Sequence, residues 1–420
     1  MKSEIRRKHK TVFVGMSGGV DSSVAAALLK KEGYSVVGVH LKSYNVDGCG
    51  EQDAEDARRA AGVLGIPFYV FDVEKEYREK VVDYMVKGYK AGLTPNPDVM
   101  CNKEIKFGIF LKKALAMDAD YVATGHYVRR VTRDTGQGTR SRSNMSHVTG
   151  HMSLFVARDS NKDQSYFLWT LTQEQLKHCL FPIGEYIKTD VRKMARNFGL
   201  PNAEKKDSQG ICFLGQVTLA DFLKDYIPAK PGLVVTATGQ KIGEHEGAQF
   251  YTIGQRHGFT VRSKKYEVRS RKNGDTAPHY IAEKNVKANT LVVAEANDPA
   301  LYRKKIELAN VHFINPQHSN ILKNVGMLVY ARVRYRQPLA KARLVTSDKG
   351  PSSAKAMAGR QGTRAKNTMS HVPLNMSLVF DIPQQFVAPG QSAVFYKCHP
   401  SRSSESKSSD FEMLGGGIIL

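Results

Sequence analysis

The stretch FVGMSGGVDSS, residues 13–23, decides the fold of the first half of this chain. The apolar run TVFV, residues 11–14, leads into it, and the alanine-rich run VAAALL, residues 24–29, follows it. This order predicts a strand, a tight glycine turn and a helix. The first turn of such a helix presents backbone N–H groups to whatever the turn encloses, which favours an anion.

The loop SGGVDSS differs from two familiar phosphate-binding motifs, because it has no lysine after its glycines and no dinucleotide fingerprint. Its two glycines allow a phosphate to approach the backbone, its hydroxyls come from Ser17, Ser22 and Ser23, and Asp21 could hold Mg²⁺. We therefore expect the pyrophosphate part of ATP to bind here. The alternative is a simple tight turn in which Asp21 or Ser22 caps the helix.

The first two hundred residues alternate between strand-like and helix-like stretches. Strands are predicted at 36–41, 67–71 and 121–124, and helices at 51–64, 76–89 and 106–116. Such alternation predicts an α/β fold with a parallel sheet covered by helices on both faces. Ligands of such sheets bind beyond the carboxyl ends of the strands, where the loop at 15–22 is expected to lie.

After about residue 215 the chain changes to short β-rich runs punctuated by glycine and proline. Strands are predicted at 232–235, 289–293, 327–335 and 392–396. This pattern favours a small linker domain followed by an antiparallel barrel or sandwich. We divide the chain into a nucleotide-binding catalytic domain at 1–215, a central linker domain at 216–288 and a C-terminal β-barrel domain at 289–420.

Length and charge narrow the class of protein. A chain of 420 residues predicts two or three domains, and a net charge of +22 indicates a polyanionic partner such as nucleic acid. The absence of a long apolar run and the polar start MKSEIRRKHK predict a cytoplasmic protein with no membrane association. The five cysteines are scattered without a CxxC pair, which argues against a structural zinc site or a disulfide framework.

An internal repeat interrupts both halves of the chain. The segments at 137–154 and 361–378 are identical at eleven of eighteen aligned positions. Both are polar and basic, so we expect two surface loop insertions. The alternative is that Arg140, Arg142, Arg364 and Lys366 contact nucleic acid.

Two cysteines occur in settings that suit thiol chemistry. In TPNPDVMCNKEIKFG, residues 94–108, two prolines predict an extended, rigid approach that presents Asp98 and Cys101 just before a helix. In KKDSQGICFLG, residues 205–215, Cys212 follows a polar loop. Two thiols that meet can carry sulfur as a persulfide on one and expel it by forming a disulfide with the other. Cys49, Cys179 and Cys398 are expected to be non-catalytic.

The SGGVDSS loop resembles that of the PP-loop ATP pyrophosphatase superfamily. With GHYVRR at 125–130, SNKDQSYFLW at 160–169, YTIGQRHG at 251–258, RYRQ at 334–337 and PGQSAVFY at 389–396, the chain resembles the tRNA-specific 2-thiouridylase family. The resemblance runs from residue 11 to the terminal GGGII. It implies a PP-loop domain with a parallel sheet, a small linker domain and a C-terminal β-barrel. Gln209 departs from the family, where many members carry threonine.

The resemblance implies a reaction. ATP would activate the C2 oxygen of the wobble uridine of tRNA as an adenylate, and persulfide sulfur would replace that oxygen to give 2-thiouridine, AMP and pyrophosphate. The implied partners are tRNA of the glutamate, lysine or glutamine type and an upstream persulfide sulfur-carrier protein. ATP and Mg²⁺ are the implied cofactors, no resident metal is expected, and the uridine must flip out of its stack to react.

The resemblance also assigns roles to individual residues. Cys212 would bear the persulfide, Cys101 would be the second catalytic cysteine, and Asp98 would be the acid/base residue. The positions that match ATP contacts are Gly15, Met16, Ser17, Gly18, Gly19, Val20, Asp21, Ser22, Leu41 and Gly125. The positions that match tRNA contacts are Asn96, Pro97, Asp98, His126, Lys162, Asp163, Gln164, Arg334, Tyr335 and Gln391.

Two rival functions remain open at this point. A PP-loop amide-forming synthetase would use ammonia and would not need Cys101 or Cys212. A catalytically inactive tRNA-binding protein would bind tRNA without cleaving ATP. The intact SGGVDSS loop, Asp98 and both cysteines favour an active sulfurtransferase over either rival.

Overall fold

The fold is described from a computed structural model, which places residues 9–46, 48–133, 150–207, 210–211, 213–215, 217–261, 278–318, 326–346, 376–400 and 410–420. The chain forms two compact units. Unit 1 comprises Met1–Lys87, Asn96–Pro228 and Cys398–Leu414. Unit 2 comprises Gly88–Pro95, Ala229–Lys397 and Gly415–Leu420. The division into three domains at residues 215 and 288 stays a prediction.

Unit 1 is built on a five-stranded parallel sheet with strand order β3-β2-β1-β4-β7. The strands are β1 (Thr11–Gly15), β2 (Ser35–Lys42), β3 (Phe68–Asp72), β4 (Tyr121–Thr124) and β7 (Cys179–Leu180). Parallel pairing between β1 and both β2 and β4 places the carboxyl ends of these strands at one edge, where β1 meets the glycine loop. The predicted parallel α/β fold is confirmed.

Among the described residues, seven α-helices precede β7 in the chain and two follow it. They are α1 (Val20–Lys31), α2 (Cys49–Leu64), α3 (Glu74–Tyr77), α4 (Asp83–Lys90), α5 (Pro97–Met100), α6 (Leu111–Ala116), α7 (Gln173–Lys177), α8 (Lys188–Asn197) and α9 (Leu219–Lys224). The last residues of α4 belong to unit 2. A π-helical segment, Arg78–Val82, joins α3 to α4. Alanines 25, 26 and 27 of α1 are buried, so the small side chains allow that helix to pack closely on its neighbours.

The TPNPD motif is helical earlier than expected. The chain is extended at Asn96, as predicted, but Cys101 does not lie just before the helix: α5 begins at Pro97 and continues through the π-helical Cys101–Phe110 into α6. Asn96 caps the start, since its Oδ1 accepts from the Val99 N–H at 3.2 Å. Proline suits this first turn because its fixed φ is helical and it lacks an N–H that would have no partner there.

The antiparallel hairpin of β5 (Arg129–Arg133) and β6 (His151–Phe155) also belongs to unit 1. The returning chain pairs with it, Glu412 with Phe155 and Met413 with Leu154. The copy of the repeat at 137–154 therefore does not lie wholly in a surface loop. Its last residues, Met152 to Leu154, are buried in β6, and the same MSL triplet of the second copy is buried at 376–378. Residues 137–149 and 361–375 lie outside the described residues.

Unit 2 contains two antiparallel-rich sheets. The first has the order β10-β9-β8-β12-β11, formed by β8 (Gly232–Thr236), β9 (Lys241–His245), β10 (Thr260–Val261), β11 (His279–Asn285) and β12 (Thr290–Glu295). The second follows the order β13-β16-β15-β14-β17-β18 and closes through β13 and β18. Its strands are β13 (Tyr302–Phe313), β14 (Met327–Arg332), β15 (Ala340–Thr346), β16 (Met376–Gln385), β17 (Ser392–His399) and β18 (Asp410–Ile419), of which the end of β17 and the first half of β18 belong to unit 1. The predicted C-terminal β-barrel is confirmed.

One predicted strand is shorter than expected. β14 ends at Arg332, not at Tyr335, and Arg336 has a positive φ of 64°. Arg334 and Tyr335 therefore lie in the turn between β14 and β15 rather than in the barrel wall. Among the described residues, no helix combines the length and apolar character needed to cross a bilayer.

Candidate nucleotide and thiol site

The glycine loop joins β1 to α1 in a conformation that requires glycine. Gly18 has a φ of +76°, and a Cβ added there would lie 2.3 Å from the backbone oxygen of Asp53. Gly19 is the N-cap of α1 and makes no side-chain capping bond, so the first-turn N–H groups of α1 are left available to an anion. The alternative of a turn capped by Asp21 or Ser22 is therefore wrong.

Buried polar groups fix the shape of this loop. The hydroxyls of Ser22 and Ser23 both donate to the Gly19 carbonyl, at 3.2 and 3.1 Å, while Ser17 is exposed. The ring of His40 is 3.0 Å through Nδ1 from the Met16 carbonyl, and burial lowers the pKa of His40. A neutral imidazole with its proton on Nδ1 donates this bond. The loop is thus preorganised before any ligand arrives.

Asp21 is held by two side chains that the sequence did not single out. Lys188 Nζ donates to both carboxylate oxygens, at 2.7 and 2.8 Å, and the Tyr127 hydroxyl donates to Oδ1 at 2.8 Å. Burial, with the Asp21 charge beside it, raises the pKa of Tyr127, so the phenol stays protonated. Asp21 nevertheless keeps 32% of its side chain exposed.

The residues around Asp21 fit Mg²⁺ only if the nucleotide supplies further oxygen ligands. Within the described ranges there is no cluster of three or more His, Cys, Asp or Glu side chains that could hold a metal ion. Mg²⁺ is commonly bound by one carboxylate, phosphate oxygens and water, and Asp21 offers that single carboxylate. Lys188 donates to both oxygens of Asp21, so its positive charge at this carboxylate opposes the binding of a cation there.

The segment at 202–205 makes four further bonds, two to the glycine loop and the start of α1 and two to α2. Asn202 Nδ2 donates to the Gly18 carbonyl and to Ser23 Oγ, both at 2.9 Å. Lys205 pairs with Asp53 at 2.7 Å and Asp56 at 2.6 Å, both on α2. These contacts join residues more than 140 positions apart, which explains why no local sequence pattern predicted them.

Asp207 lies at the centre of a charge cluster. Its Oδ1 accepts from Lys188 at 2.8 Å and Arg192 at 2.9 Å, and its Oδ2 accepts from Lys162 at 2.6 Å. Burial opposes ionisation of this carboxyl, but the hydrogen bonds from Lys162 and Lys188 outweigh it and lower the pKa of Asp207 to about 2. Asp207 is therefore fully ionised at neutral pH.

Asp98 and Cys101 lie three residues apart in one continuous helix, so their side chains share a face. Burial raises the pKa of Asp98, and the charge of Lys106 partly opposes that shift. The Cys101 side chain is only 5% exposed. Asn102 Nδ2 donates to the Asp98 carbonyl at 3.0 Å, and its buried Oδ1 has no partner among the described residues. A π-helical segment at such a position is a common feature of functional sites.

His126 is buried beside this helix. Its Nδ1 is 2.7 Å from Thr124 Oγ1, and its ring packs against Phe107 and Phe181. Burial, reinforced by the charge of Lys106, lowers the pKa of His126 well below its usual value. The imidazole is therefore neutral at physiological pH and could contact RNA only as a hydrogen-bonding or stacking group.

The three residues Lys162, Asp163 and Gln164 have different settings. Asp163 is buried and accepts from the Ala157 N–H at 3.0 Å and the Ser165 hydroxyl at 2.9 Å. Gln164 accepts from the Tyr127 N–H through Oε1 at 3.0 Å, which shapes the chain next to the Asp21 partner. Only Lys162 has a charged group at the surface of this segment. Tyr166 and Trp169 of the same motif are buried, whereas Phe167 is half-buried.

The remaining expected RNA contacts lie in unit 2. Gln391 Nε2 donates to the Thr94 carbonyl at 3.0 Å, and the Thr94 N–H donates to the Pro389 carbonyl at 2.7 Å. The PGQ motif thus holds the backbone that leads directly into Asn96. Elsewhere in unit 2, Lys284 donates to the Tyr251 carbonyl at 2.8 Å, and burial lowers the pKa of Lys284 to about 8. Arg334 lies over the Phe386 ring at 5.7 Å.

The other cysteines are placed as follows. Cys212 lies outside the described residues, but Phe213 directly after it is buried, packs on Tyr77 at 5.8 Å and accepts from the Val46 N–H at 3.2 Å. Cys49 is the first residue of α2. Cys179 is buried on β7, and burial raises the pKa of its thiol to about 12, which makes it inert. Cys398 lies on β17 and is partly buried.

Comparison with known families identifies relatives over nearly the whole chain. A family model described as the tRNA methyl transferase HUP domain matches residues 10–216, and one described as the tRNA methyl transferase PRC-barrel domain matches residues 220–295. The chain is 42% identical to the tRNA-specific 2-thiouridylase MnmA 1 of Geobacillus kaustophilus, over 93% of each chain. It is 40% identical to the tRNA-specific 2-thiouridylase MnmA of Nitrosomonas europaea, over 97% of this chain and 98% of that protein.

Solved structures give a weaker likeness. A 4-thiouridine synthetase in complex with RNA and bound ATP shares 15% identity and a TM-score of 0.30, covering 52% of this chain and 50% of that one. A score this low supports no conclusion about the present chain.

Proposed function

Because this chain belongs to the tRNA-specific 2-thiouridylase family, we propose that it is an ATP-dependent tRNA sulfurtransferase that forms 2-thiouridine at the wobble position. The observation that carries the proposal is one helix face that holds Asp98 and Cys101, in the same unit as an uncapped glycine loop. The first arrangement suits thiol chemistry, and the second suits a nucleotide phosphate. A synthetase that uses ammonia would need only the second.

In the activation step, the C2 oxygen of the uridine attacks the α-phosphorus of ATP and pyrophosphate leaves. The N–H groups at the start of α1 would bind the phosphates, and Gly18 allows their close approach. Bound Mg²⁺ would neutralise phosphate charge, with Asp21 as its protein ligand. Leu41 and Gly125 are proposed to complete the nucleotide contacts.

In the sulfur-transfer step, Cys212 is proposed to carry the persulfide. The Cys101 thiolate attacks the Sγ atom of Cys212, a disulfide forms between the two cysteines, and the outer sulfur leaves as hydrosulfide. Hydrosulfide attacks C2 and AMP leaves with the former oxygen. Two electrons must then be supplied by a thiol reductant to restore both cysteines, and a persulfide carrier must reload Cys212.

The residues proposed to contact RNA fall into two groups, according to their exposure and their hydrogen bonds within the chain. Asn96 and Pro97 present the helix that bears Asp98, while Lys162, Arg334 and Tyr335 offer charge and ring surface to the phosphates and bases. The neutral His126 and the structural Asp163, Gln164 and Gln391 would act mainly by shaping these surfaces. The glutamate, lysine and glutamine tRNA types, the carrier protein and a cytoplasmic location stay predictions.

The proposal is tested by incubating the purified full chain with unmodified glutamate tRNA, Mg-ATP and a persulfide donor, followed by mass spectrometry of the digested nucleosides. We expect 2-thiouridine to form with stoichiometric AMP and pyrophosphate. The family-model description names methyl transfer, so a parallel reaction contains S-adenosylmethionine instead of ATP and persulfide. Methylated nucleoside in that reaction, with no 2-thiouridine in the first, would overturn the proposal.

Asp98 is expected to set the basic limb of the pH–rate profile. Because burial raises the pKa of Asp98, its protonated form persists to higher pH than in an exposed aspartate. If that form donates a proton at the reacting uridine, kcat falls as pH rises through the raised pKa. Asp98→Asn is expected to lower kcat about 10²- to 10⁴-fold and to remove that limb. Retention of the same limb in Asp98→Asn would assign it to another group.

A further inference from the structure

Asp207 contacts both Lys162, which is proposed to face RNA, and Lys188, which is bonded to Asp21. Lys162 reaches it from the 160–169 motif at 2.6 Å, and Lys188 reaches it from α8 at 2.8 Å. The Lys188 ammonium has three N–H donors, and all three are used: two on Asp21 and one on Asp207. Lys188 is therefore shared between the two carboxylates.

Arg192 anchors this arrangement to the backbone. Its guanidinium donates to the carbonyls of Ala203 and Lys205 at 2.9 and 3.0 Å and to Asp207 Oδ1 at 2.9 Å. Arg192 and Lys188 are four residues apart on α8, so Asp207 is held on the same helix face as Lys188. Asp207 cannot follow Lys188 or Lys162 without breaking these bonds.

The charges around the two carboxylates make the pairing sensitive to a polyanion. Lys162, Lys188 and Arg192 together neutralise Asp21 and Asp207, and Lys188 is only 12% exposed. Lys162 is 30% exposed and is the cation nearest to solvent on Asp207. An RNA phosphate that binds Lys162 would remove one of the three cations from Asp207.

We propose that Asp207 is a positioning residue that couples tRNA binding to nucleotide binding by drawing Lys188 away from Asp21 when tRNA takes Lys162. Loss of Lys162 leaves Asp207 less neutralised, so its attraction for Lys188 increases. Lys188 then releases Asp21, whose carboxylate becomes available to the Mg²⁺ of Mg-ATP. The inference rests on the proposed function, because it requires tRNA and ATP to be the ligands of unit 1.

The coupling predicts a change in nucleotide affinity opposite to the change that simple electrostatics predicts. Removing the positive charge of Lys162 should weaken binding of an anionic nucleotide if charge alone matters. Under the coupling, Lys162→Gln imitates the tRNA-bound state and strengthens nucleotide binding in the absence of tRNA. Asp207→Asn should strengthen nucleotide binding by charge alone, but under the coupling it leaves Lys188 on Asp21 and abolishes the response to tRNA.

The experiment measures the Kd of Mg-α,β-methylene-ATP, which is not cleaved at the reacting bond, by calorimetry with and without unmodified glutamate tRNA. In the wild-type chain we expect tRNA to lower this Kd about tenfold. Asp207→Asn should reduce that factor to less than about twofold, and Lys162→Gln should lower the tRNA-free Kd towards the wild-type value with tRNA. Glu204→Gln is the matched control, because Glu204 lies three residues from Asp207, is 73% exposed and pairs only with Arg196 among the described residues.

Three outcomes would overturn the inference: no effect of tRNA on the wild-type Kd, wild-type coupling in Asp207→Asn, or a raised tRNA-free Kd in Lys162→Gln. The thermal unfolding of each variant is recorded, and Lys162→Gln, at a partly exposed site, tests the sign if Asp207→Asn is unfolded. Intact coupling with no 2-thiouridine from the wild-type chain would overturn the proposed function and leave the coupling standing. Formation of 2-thiouridine by the wild-type chain, without any effect of tRNA on the Kd of the nucleotide, would overturn the coupling and leave the proposed function standing.

Discussion

Cys101→Ser is expected to lower the rate of 2-thiouridine formation by at least about a thousandfold. The hydroxyl of serine is not ionised at neutral pH, so it cannot attack the persulfide sulfur or form a disulfide. The two side chains have similar volumes and the site is only 5% exposed, so folding should be retained. The measurement is single-turnover formation of 2-thiouridine from chain preloaded with persulfide.

The matched control for this prediction is Cys179→Ser. Cys179 is also buried, its thiol donates to the Gln175 carbonyl at 3.0 Å, and serine can make the same bond. Its raised pKa excludes a thiolate at neutral pH, so the variant should retain wild-type turnover. Equal loss in both variants would show that burial of a hydroxyl, rather than loss of a nucleophile, explains the Cys101 result.

Gly18→Ala is expected to raise the Kd for Mg-ATP more than about tenfold, which is about 1.4 kcal/mol. A non-glycine residue at a φ of +76° is strained, and the new Cβ would lie 2.3 Å from the Asp53 backbone oxygen. Relief of that clash must move the loop or the start of α2, and either shift misplaces the N–H groups that are proposed to bind phosphate. Nucleotide titration by calorimetry measures the change.

Gly33→Ala separates backbone strain from the clash. Gly33 has a φ of +89°, and a Cβ there would meet no described atom within 4 Å. This variant should lower the free energy of unfolding by about 1 kcal/mol, as Gly18→Ala also does through strain, while its Kd for Mg-ATP stays at the wild-type value. A tenfold rise in Kd in Gly33→Ala would refute the local explanation for Gly18.

The parts of this fold that follow from sequence are those with local patterns. The β1–loop–α1 unit is recognisable because apolar strand, paired glycines and alanine-rich helix adjoin within twenty residues. The prolines of the TPNPD segment suggest an extended chain, whereas the Asn96 cap and Pro97 at the first helical position start a helix. The cap depends on the hydrogen bond from the Val99 N–H to the Asn96 side chain, which the positions of the prolines do not reveal.

The polar surroundings of the loop could not be predicted in the same way. Lys188 lies in KTDVRK, which is indistinguishable from a solvated helix start, and it meets Asp21 across 167 positions. Asp207 lies beside two lysines, so its neighbours in sequence suggest local pairing, yet its partners are Lys162, Lys188 and Arg192. Such contacts depend on the packing of α8 against α1, which no single-sequence pattern encodes.

The return of residues 398–414 to unit 1 has a consequence for synthesis on the ribosome. Strand β6 obtains its partners Glu412 and Met413 from this segment, and the Ser153 hydroxyl donates to Glu412 Oε1 at 2.6 Å. A nascent chain that has emerged only to residue 228 therefore holds the glycine loop, Asp98 and Cys101, but not the strand that completes this hairpin. The nucleotide-binding unit can finish folding only after the entire barrel sequence has been translated, so premature termination anywhere before residue 413 leaves an unpaired strand edge on the catalytic half.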